Sequence, residues 1–242
     1  MAITIEASDG DSVTTRELRL VEEPRYSFAE ADYLARVSRG TSRRWLAGYS
    51  YRRTSGDVVH LPPVGGPGAK DSGSTVSFID LVEVVAIGGL KDVGFSLTHI
   101  RKIVTTCEEL LGVARPLTTL TFKTGGREIF VDVGEGRLVE VLGRRGRQAW
   151  TEVLAPFLQT LEYENDLARR WWPLGQRSPI VVDPAYAYGL PVIKNTGIRT
   201  EILFERFESG DLVEEIANDF NLVPEDVERA IQFEATRLKT AA

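Results

Sequence analysis

Two short amphipathic segments, joined by a tight turn, restrict how the N-terminal third of this chain can fold. Ser27 and Glu30 can form a capping box at the start of the first segment, and apolar residues then recur at helical spacing. Gly40 ends this pattern, and either Thr41 or Ser42 can cap the first turn of the second segment. Two short helices with so short a connection predict a helix-turn-helix.

Arginine is concentrated around this turn, although the chain as a whole is acidic. The net charge is −6, yet residues 25–61 hold seven arginines against three acidic residues, whereas residues 1–24 hold two arginines against six. A polyanion responds to charges within about 8 Å at physiological salt, so the local excess matters more than the total. The excess predicts a surface that binds nucleic acid.

The residues expected to contact DNA lie on the second helix and on the segment after it. That segment, YSYRRTSGDVVHLP, contains a Ser-Gly-Asp turn and predicts a hairpin or wing. Arginines at the helix start would reach guanine edges or phosphates, beside free backbone amides and the positive end of the helix dipole. Hydroxyl groups there would contact phosphate, tyrosines would pack along the sugar edge, and the wing arginines would contact the adjacent backbone. The alternative is that these arginines are only solvated. The expected set is Arg39, Thr41, Ser42, Arg43, Arg44, Tyr49, Tyr51, Arg52 and Arg53.

The middle of the chain predicts helices and then a change of period. FIDLVEVVAI predicts a buried helix that ends at Gly88 and Gly89, and Ser96 caps a further helix that Gly112 ends. From Leu117 to Leu142 the apolar spacing changes to two, which predicts a β-meander with two glycine turns. A helix resumes near Gln148, and WWPLGQRSP predicts a hinge.

The last sixty residues predict a separate unit of short strands and three helices. PIVVDP and GLPVIK predict the strands, and the helices start at Thr200, after a cap at Asp211, and at Pro224. The whole pattern is typical of an α+β, predominantly helical fold. The expected domains are a polar arm at 1–24, a winged helix-turn-helix at 25–115, the meander plus helix at 116–172, and a helical domain at 179–242.

Side chains suited to catalysis or metal binding are few. The two histidines, His60 and His99, lack a metal-binding spacing, and the single cysteine, Cys107, lies on an apolar stripe. The glycine-rich stretches match no phosphate-binding loop. We therefore expect neither an enzyme, nor a metal site, nor a cofactor.

The sequence also lacks the features of a membrane protein. Its longest run without Asp, Glu, Lys or Arg is the twelve residues 58–69, too short for a membrane span. The acidic N-terminus does not have the pattern of a secretory signal. We expect a cytoplasmic protein that does not contact a membrane.

The order of helix pair, basic wing, apolar helix and GFSLTHIRKI resembles the winged helix-turn-helix of MerR-class regulators over residues 26–105. The resemblance implies binding to operator DNA. A Gly- and Pro-rich insert at residues 62–77 departs from the MerR pattern, which puts the placement of Arg52 and Arg53 in doubt.

The C-terminal region resembles a small domain that recurs in bacterial antitoxins and was first described as of unknown function. Its signs are the Pro-Val-Ile strand and the motif EIANDFNL, which forms a helix-turn-helix core. With the N-terminal module, the whole chain resembles the VapB-type antitoxins that partner PIN-domain ribonuclease toxins. The resemblance implies neutralisation of a cognate toxin and repression of the shared operon.

The second helix-turn-helix begins its last helix with Pro224-Glu225-Asp226, an acidic turn that would repel phosphate. We expect it to be architectural or to bind protein, and to support a homodimer, because paired operator half-sites require a two-fold protein. PIN ribonucleases hold a metal with clustered carboxylates, which an inserted cation could neutralise. The residues considered for toxin binding, with solvated helix-end charges as the alternative, are Arg144, Arg145, Arg147, Arg237 and Lys239.

Two other functions stay open from the sequence. The first is an effector-responsive MerR-like transcription regulator, whose ligand pocket Phe122, Phe130, Trp150 and Trp171 would line, although such residues also fill cores. The second is an interaction scaffold. Co-purification with a PIN-domain protein would separate an antitoxin from the regulator.

Overall fold

The computed structural model describes residues 20–65, 75–130 and 146–241, and within these ranges the side chains of 127–130 and 238–241 lie outside the description. The described chain is mainly helical, with small antiparallel sheets. This confirms the predicted α+β, predominantly helical fold class with a helix-turn-helix.

Two helix pairs and a hairpin form the N-terminal part. Their bounds are β1 Tyr26–Ser27, α1 Phe28–Leu34, α2 Thr41–Ala47, β2 Tyr49–Arg52, β3 Val58–Leu61, β4 Thr75–Val76, α3 Phe78–Asp92 and α4 Leu97–Leu111. Strands β1 and β4 pair antiparallel, and each leads directly into a helix. The predicted Ser27–Glu30 capping box is present, and Ser77 and Asp80 form a second one. The two helix pairs therefore start side by side.

A helical segment, a four-stranded sheet and three helices make up the rest. Their bounds are α5 Leu120–Phe130, α6 Gly146–Gln148 with its continuations Ala149–Leu154 (π-helical) and Ala155–Gln159, β5 Leu161–Glu164, β6 Leu167–Trp171, β7 Ile180–Val182, β8 Pro191–Ile193, α7 Thr200–Glu208, α8 Val213–Phe220 and α9 Pro224–Ala241. The sheet is antiparallel in the order β5-β6-β7-β8. It joins residues on both sides of the predicted hinge, and the domain bounds stay a prediction.

Hydrophobic burial divides the described residues into a main core and two smaller ones. The main core contains the helix pairs and the start of the sheet, with Tyr26, Phe78 and Phe122 among its largest buried side chains. A second core forms between β7, β8 and the last three helices. Successive strand residues face opposite sides, so Ile180 packs into the second core whereas Val181 belongs to the third, beside Trp172 and Val192.

The β-meander predicted from Leu117 to Leu142 is wrong where the structure describes it, because residues 120–130 form α5. The Thr119 hydroxyl oxygen accepts a hydrogen bond from the amide of Phe122 at 3.1 Å, and the Asp166 carboxylate accepts one from the amide of Thr121 at 2.7 Å. The start of the helix is therefore capped. A Cβ at Gly126 would lie 2.9 Å from ring atoms of both Phe122 and Trp150. That glycine permits close helix packing rather than a turn, and residues 131–142 lie outside the described residues.

Gly88 and Gly89 do not end α3, which continues to Asp92. A Cβ at Gly89 would overlap the side chain of Val153, and one at Gly88 would touch Val37 and Trp45. These glycines let α6 and α2 approach α3 closely. Packing between helices therefore outweighs the low helix propensity of glycine at these two positions.

The last helices lie where the sequence predicts them, but the cap of α8 differs. Leu212 is the cap residue, and its amide donates to the Glu215 carboxylate at 3.1 Å. Asp211 instead accepts a hydrogen bond from Arg206, which also bonds Asp219. Asp211 therefore pairs with Arg206, five residues earlier on α7, instead of capping α8.

Candidate nucleic-acid interface

The turn between α1 and α2 is built around the buried carboxylate of Asp32. Its two oxygens accept hydrogen bonds from the backbone amides of Gly40 at 2.5 Å and Ser42 at 2.7 Å. Gly40 itself has a left-handed backbone, with φ of 80°. The first helix therefore caps the second across the turn, which sets the angle between them.

This arrangement corrects the roles expected of Thr41 and Ser42. Ser42 has 0% of its surface exposed, and its hydroxyl donates to the carbonyl of Phe28 at 3.0 Å. Thr41 is buried and accepts a hydrogen bond from Arg44 at 3.0 Å. Neither hydroxyl faces a ligand, and Asp32 already occupies two of the amides expected to be free for phosphate.

The arginines of the turn point outward. Arg39, Arg43 and Arg44 are exposed, and none of them forms a salt bridge with any residue that the structure describes. The Arg43 guanidinium lies 5.7 Å from the ring centre of Phe28, a cation–π contact that orients it on the surface. Cationic side chains on a compact, capped scaffold are what a polyanion requires.

The predicted wing is present as the β2–β3 hairpin, with Tyr49 opposite Leu61 and Arg52 opposite Val58. The rings of Tyr49 and Tyr51 lie 6.2 Å apart. Arg52 and Arg53 are exposed near the tip, where the Arg52 guanidinium lies 3.4 Å from the carbonyl of Gly56. The wing thus extends the basic surface beyond α2.

Arg101 of α4 holds the base of this wing, a role that the sequence did not indicate. Its Nε donates to the carbonyls of Pro62 and Pro63, each at 3.0 Å, and its Nη2 donates to Pro62 at 2.6 Å. Burial lowers the pKa of Arg101. Only the tertiary fold brings residues 62 and 101 together, so the motif GFSLTHIRKI predicts a helix but not this contact.

The residues considered for toxin binding are not gathered in one place. Arg147 is exposed on α6, whereas Arg144 and Arg145 lie outside the described residues. Lys239 lies on α9, and its side chain also lies outside the described part. Arg237 is only 2% exposed, so in this fold its side chain is not presented on the surface as a toxin contact requires.

Arg237 instead forms a buried cluster that joins α1 to α7 and α9. Its Nη1 donates to the carboxylate of Glu234 at 3.1 Å, and its guanidinium lies 3.9 Å from the ring centre of Tyr33. The Tyr33 hydroxyl donates to the same carboxylate at 2.8 Å, and Thr200 donates to it as well. Burial, together with the hydrogen bond to Glu234, raises the pKa of Tyr33 to about 12.

The aromatic residues proposed for an effector pocket fill the main core where they are described. The rings of Phe122 and Trp150 meet edge to face at 5.8 Å, and Trp171 is buried with them. The side chain of Phe130 lies outside the described residues. These positions are typical of core packing rather than of an open ligand site.

Two further titratable residues, His60 and Cys107, lie in local structure rather than in a site. His60 shares a hydrogen bond of 2.6 Å with Ser50 across the wing, and burial raises the pKa of Cys107 to about 12. Among the described residues, His, Cys, Asp and Glu form no cluster that could hold a metal ion. Each helix of the described residues is too short or too polar to cross a bilayer.

Asp32→Ala is expected to lower the free energy of unfolding by about 2 kcal/mol, because it leaves the buried amide of Ser42 and the part-buried amide of Gly40 without an acceptor. Urea denaturation measures the change. Asp92→Ala, an exposed aspartate at the end of α3, is the matched control and should leave stability unchanged. Equal stability of both variants would contradict the capping role.

Arg101→Met is expected to speed hydrogen exchange of the β2–β3 amides about tenfold, because three hydrogen bonds at the base of the wing disappear. The apolar stem is kept, so packing changes little. Lys102→Met, at the exposed neighbouring position, serves as the control. Unchanged exchange in the Arg101 variant would show that the hairpin does not depend on this anchor.

Comparison with known proteins identifies relatives of both ends of the chain. Residues 24–104 match the family described as "Putative DNA-binding HTH domain", and residues 180–233 match a family described as a protein of unknown function, DUF433. The curated "Putative antitoxin VapB45" of Mycobacterium tuberculosis (strain ATCC 25618 / H37Rv) is 24% identical over 229 residues, 89% of this chain and 95% of that protein. These matches fit a VapB-type antitoxin and confirm that resemblance.

The fold also has a counterpart among solved structures. The X-ray crystal structure of Rv2018 from Mycobacterium tuberculosis is similar with a TM-score of 0.64 at 19% identity, over 87% of this chain and 98% of that one. At 19% identity, this similarity shows a shared fold and nothing more.

Proposed function

We propose that this chain, as a VapB-type antitoxin, binds and neutralises a PIN-domain ribonuclease toxin and represses its own operon by binding operator DNA. The observation that carries its DNA-binding part is the exposed arginine surface on α2 and the wing, held by the buried Asp32 cap, and its toxin-binding part rests on the similarity to a putative antitoxin. We assign the chain a cytoplasmic, regulatory and non-enzymatic role.

DNA contact would come from side chains rather than from the amides at the start of α2. Two of those amides already bond to Asp32, so phosphate and base contacts fall to Arg39, Arg43 and Arg44. Arg52 and Arg53 would contact the backbone beside them. Tyr49 and Tyr51, on the same hairpin, would pack along the sugars.

The C-terminal part would serve protein contacts. Residues 179–242 hold twelve acidic residues against six basic ones, a balance that repels a nucleic acid. A homodimer would place two arginine surfaces on the two halves of an operator. Toxin binding would then leave the DNA surface accessible.

The proposal is tested by co-expressing the chain with the PIN-domain protein encoded in the neighbouring reading frame. We expect the two proteins to co-purify, the ribonuclease activity to be suppressed, and the chain to bind the DNA upstream of the gene pair. Absence of a PIN-domain partner, together with a lack of specific DNA binding, would reject both parts. A regulator that responds to an effector would bind the DNA without such a partner.

A further inference from the structure

We propose that the outer face of the four-stranded sheet is the docking surface for the partner protein and receives a carboxylate side chain of that partner. The face, here named the aromatic face, consists of the cavity residues Arg170, Trp172, Tyr186 and Lys194, together with Tyr188, which is exposed two residues after Tyr186 on the same turn. The inference rests on the proposed function, because it assigns the toxin contact that the buried Arg237 cannot make.

A cavity of about 160 Å³ opens on this face. Val181 and Val192, from neighbouring strands, form its apolar floor with Trp172, which is 3% exposed. The rest of the lining is polar and includes Arg170 and Lys194, so the cavity suits one side chain that ends in a polar group. The opposite side of the same strands is covered by the helices.

One exposed tyrosine, Tyr186, lines the cavity, and a second, Tyr188, lies on the strained turn that follows it. Ala187 and Tyr188 have φ of 45° and 57°, left-handed values that residues with a side chain rarely adopt. Tyr186 lines the cavity and is 49% exposed, and Tyr188 is 84% exposed. Strain of this kind persists when the surrounding structure enforces it, and here it occurs at Tyr188, whose side chain is exposed to solvent.

The turn is fastened to the DNA-binding module. The buried Tyr26 hydroxyl donates to the carbonyl of Gly189 at 2.8 Å, and Arg25 donates to the carbonyl of Pro184 at 2.8 Å. Both donors directly precede α1. The two tyrosines are therefore presented by a rigid scaffold, which reduces the ordering required on binding.

Two donor groups at this cavity, on Trp172 and Lys194, have no hydrogen-bond acceptor among the described residues. Arg170 already bonds Asp183 at 2.5 Å and Glu162 at 3.3 Å, so both carboxylates have a cation. Trp172 has a buried Nε1–H with no acceptor, and the Lys194 ammonium, 5.2 Å above its ring, forms no salt bridge with the described residues. A ligand that supplies a carboxylate matches both donors.

Composition favours a protein over a nucleic acid as the occupant. The acidic excess of residues 179–242 disfavours a polyanion. Tyrosine, tryptophan and arginine are the residues most enriched at the energetic centres of protein interfaces. A partner protein with a mostly apolar surface and a single carboxylate avoids the repulsion expected for a polyanion. It also matches the aromatic and cationic residues of this face.

The test measures affinity of the full chain for the neighbouring PIN-domain protein by calorimetry. We expect Tyr188→Ala to weaken binding at least about tenfold and Lys194→Gln about tenfold. Phe207→Ala and Lys102→Gln, an exposed aromatic residue and an exposed lysine elsewhere, are the matched controls and should bind as the unmodified chain does.

The outcomes separate this inference from the proposed function. If the unmodified chain binds no PIN-domain protein, the proposed function fails and the inference with it. If it binds, but Tyr188→Ala and Lys194→Gln bind equally well, only the inference is overturned. A loss of operator affinity in Tyr188→Ala with unchanged toxin binding would assign the face to nucleic acid and also overturn it.

A second measurement tests the cavity without a protein partner. The indole N–H signal of Trp172, assigned through Trp172→Phe, is followed by NMR during titration with propionate and with propionamide. We expect a saturable shift with propionate that Lys194→Gln abolishes, and no saturable shift with propionamide. Equal responses to both compounds, or none to either, would overturn the carboxylate assignment.

Discussion

Replacing Arg43 and Arg44 together by alanine is expected to weaken operator binding about 100-fold, because base or phosphate contacts of two guanidinium groups are lost. Both side chains are exposed and form no salt bridge with described residues. Their removal should therefore leave the fold intact. Fluorescence anisotropy with labelled operator DNA measures the change.

The salt dependence of the same variant is the sharper readout. Each lost phosphate contact reduces the slope of log affinity against log salt by about 0.9, so two contacts reduce it by about 1.8. Arg177→Ala combined with Arg229→Ala removes two exposed arginines from elsewhere and should leave both slope and affinity nearly unchanged. If the two double variants behave alike, the arginines of α2 are not the DNA-binding residues.

Arg237→Ala is expected to lower the free energy of unfolding by about 3–5 kcal/mol, because it leaves Glu234 as a buried carboxylate without its cation. The loss of the cation–π contact with Tyr33 acts in the same direction. Chemical denaturation, followed by circular dichroism, measures the change. The expected loss of stability is large because the cluster is buried between α1 and α9.

Two companion variants define what Arg237 does. Arg229→Ala, on the exposed side of the same helix, should change stability little. Combining Arg237→Met with Glu234→Met removes both charges and should cost less than the sum of the single changes, because no unpaired charge remains. A folded Arg237 variant with native stability but weakened toxin binding would restore the contact role that burial rejects.

Local chemistry made the helix-turn-helix predictable from the sequence. The Ser27–Glu30 box, the Ser96 cap and the left-handed Gly112 involve residues at most four positions apart, and all three are present. Such signals act within one helical turn. The wing was predictable for the same reason, since its turn and strands are contiguous.

The main failures concern residues whose partners are distant in the chain. Gly88, Gly89 and Gly126 indicated breaks or turns, yet neighbouring helices use the space that their missing side chains leave. Arg237 indicated a free cation near a chain end, but Tyr33, some two hundred residues earlier, helps to bury it. No pattern in the local sequence distinguishes a glycine that ends a helix from one that permits close packing, or an exposed arginine from a buried one.

The sequence by itself determined the starts of α1 and α4, the wing and the concentration of arginine near α2, because these depend on neighbours in the chain. Tertiary structure alone decided which of those arginines face solvent, that Asp32 caps the helix expected to bind phosphate, and that Trp172 and Tyr186 meet at one cavity. The physical reason is that burial and hydrogen bonding between distant segments, rather than local propensity, set the surroundings of each side chain.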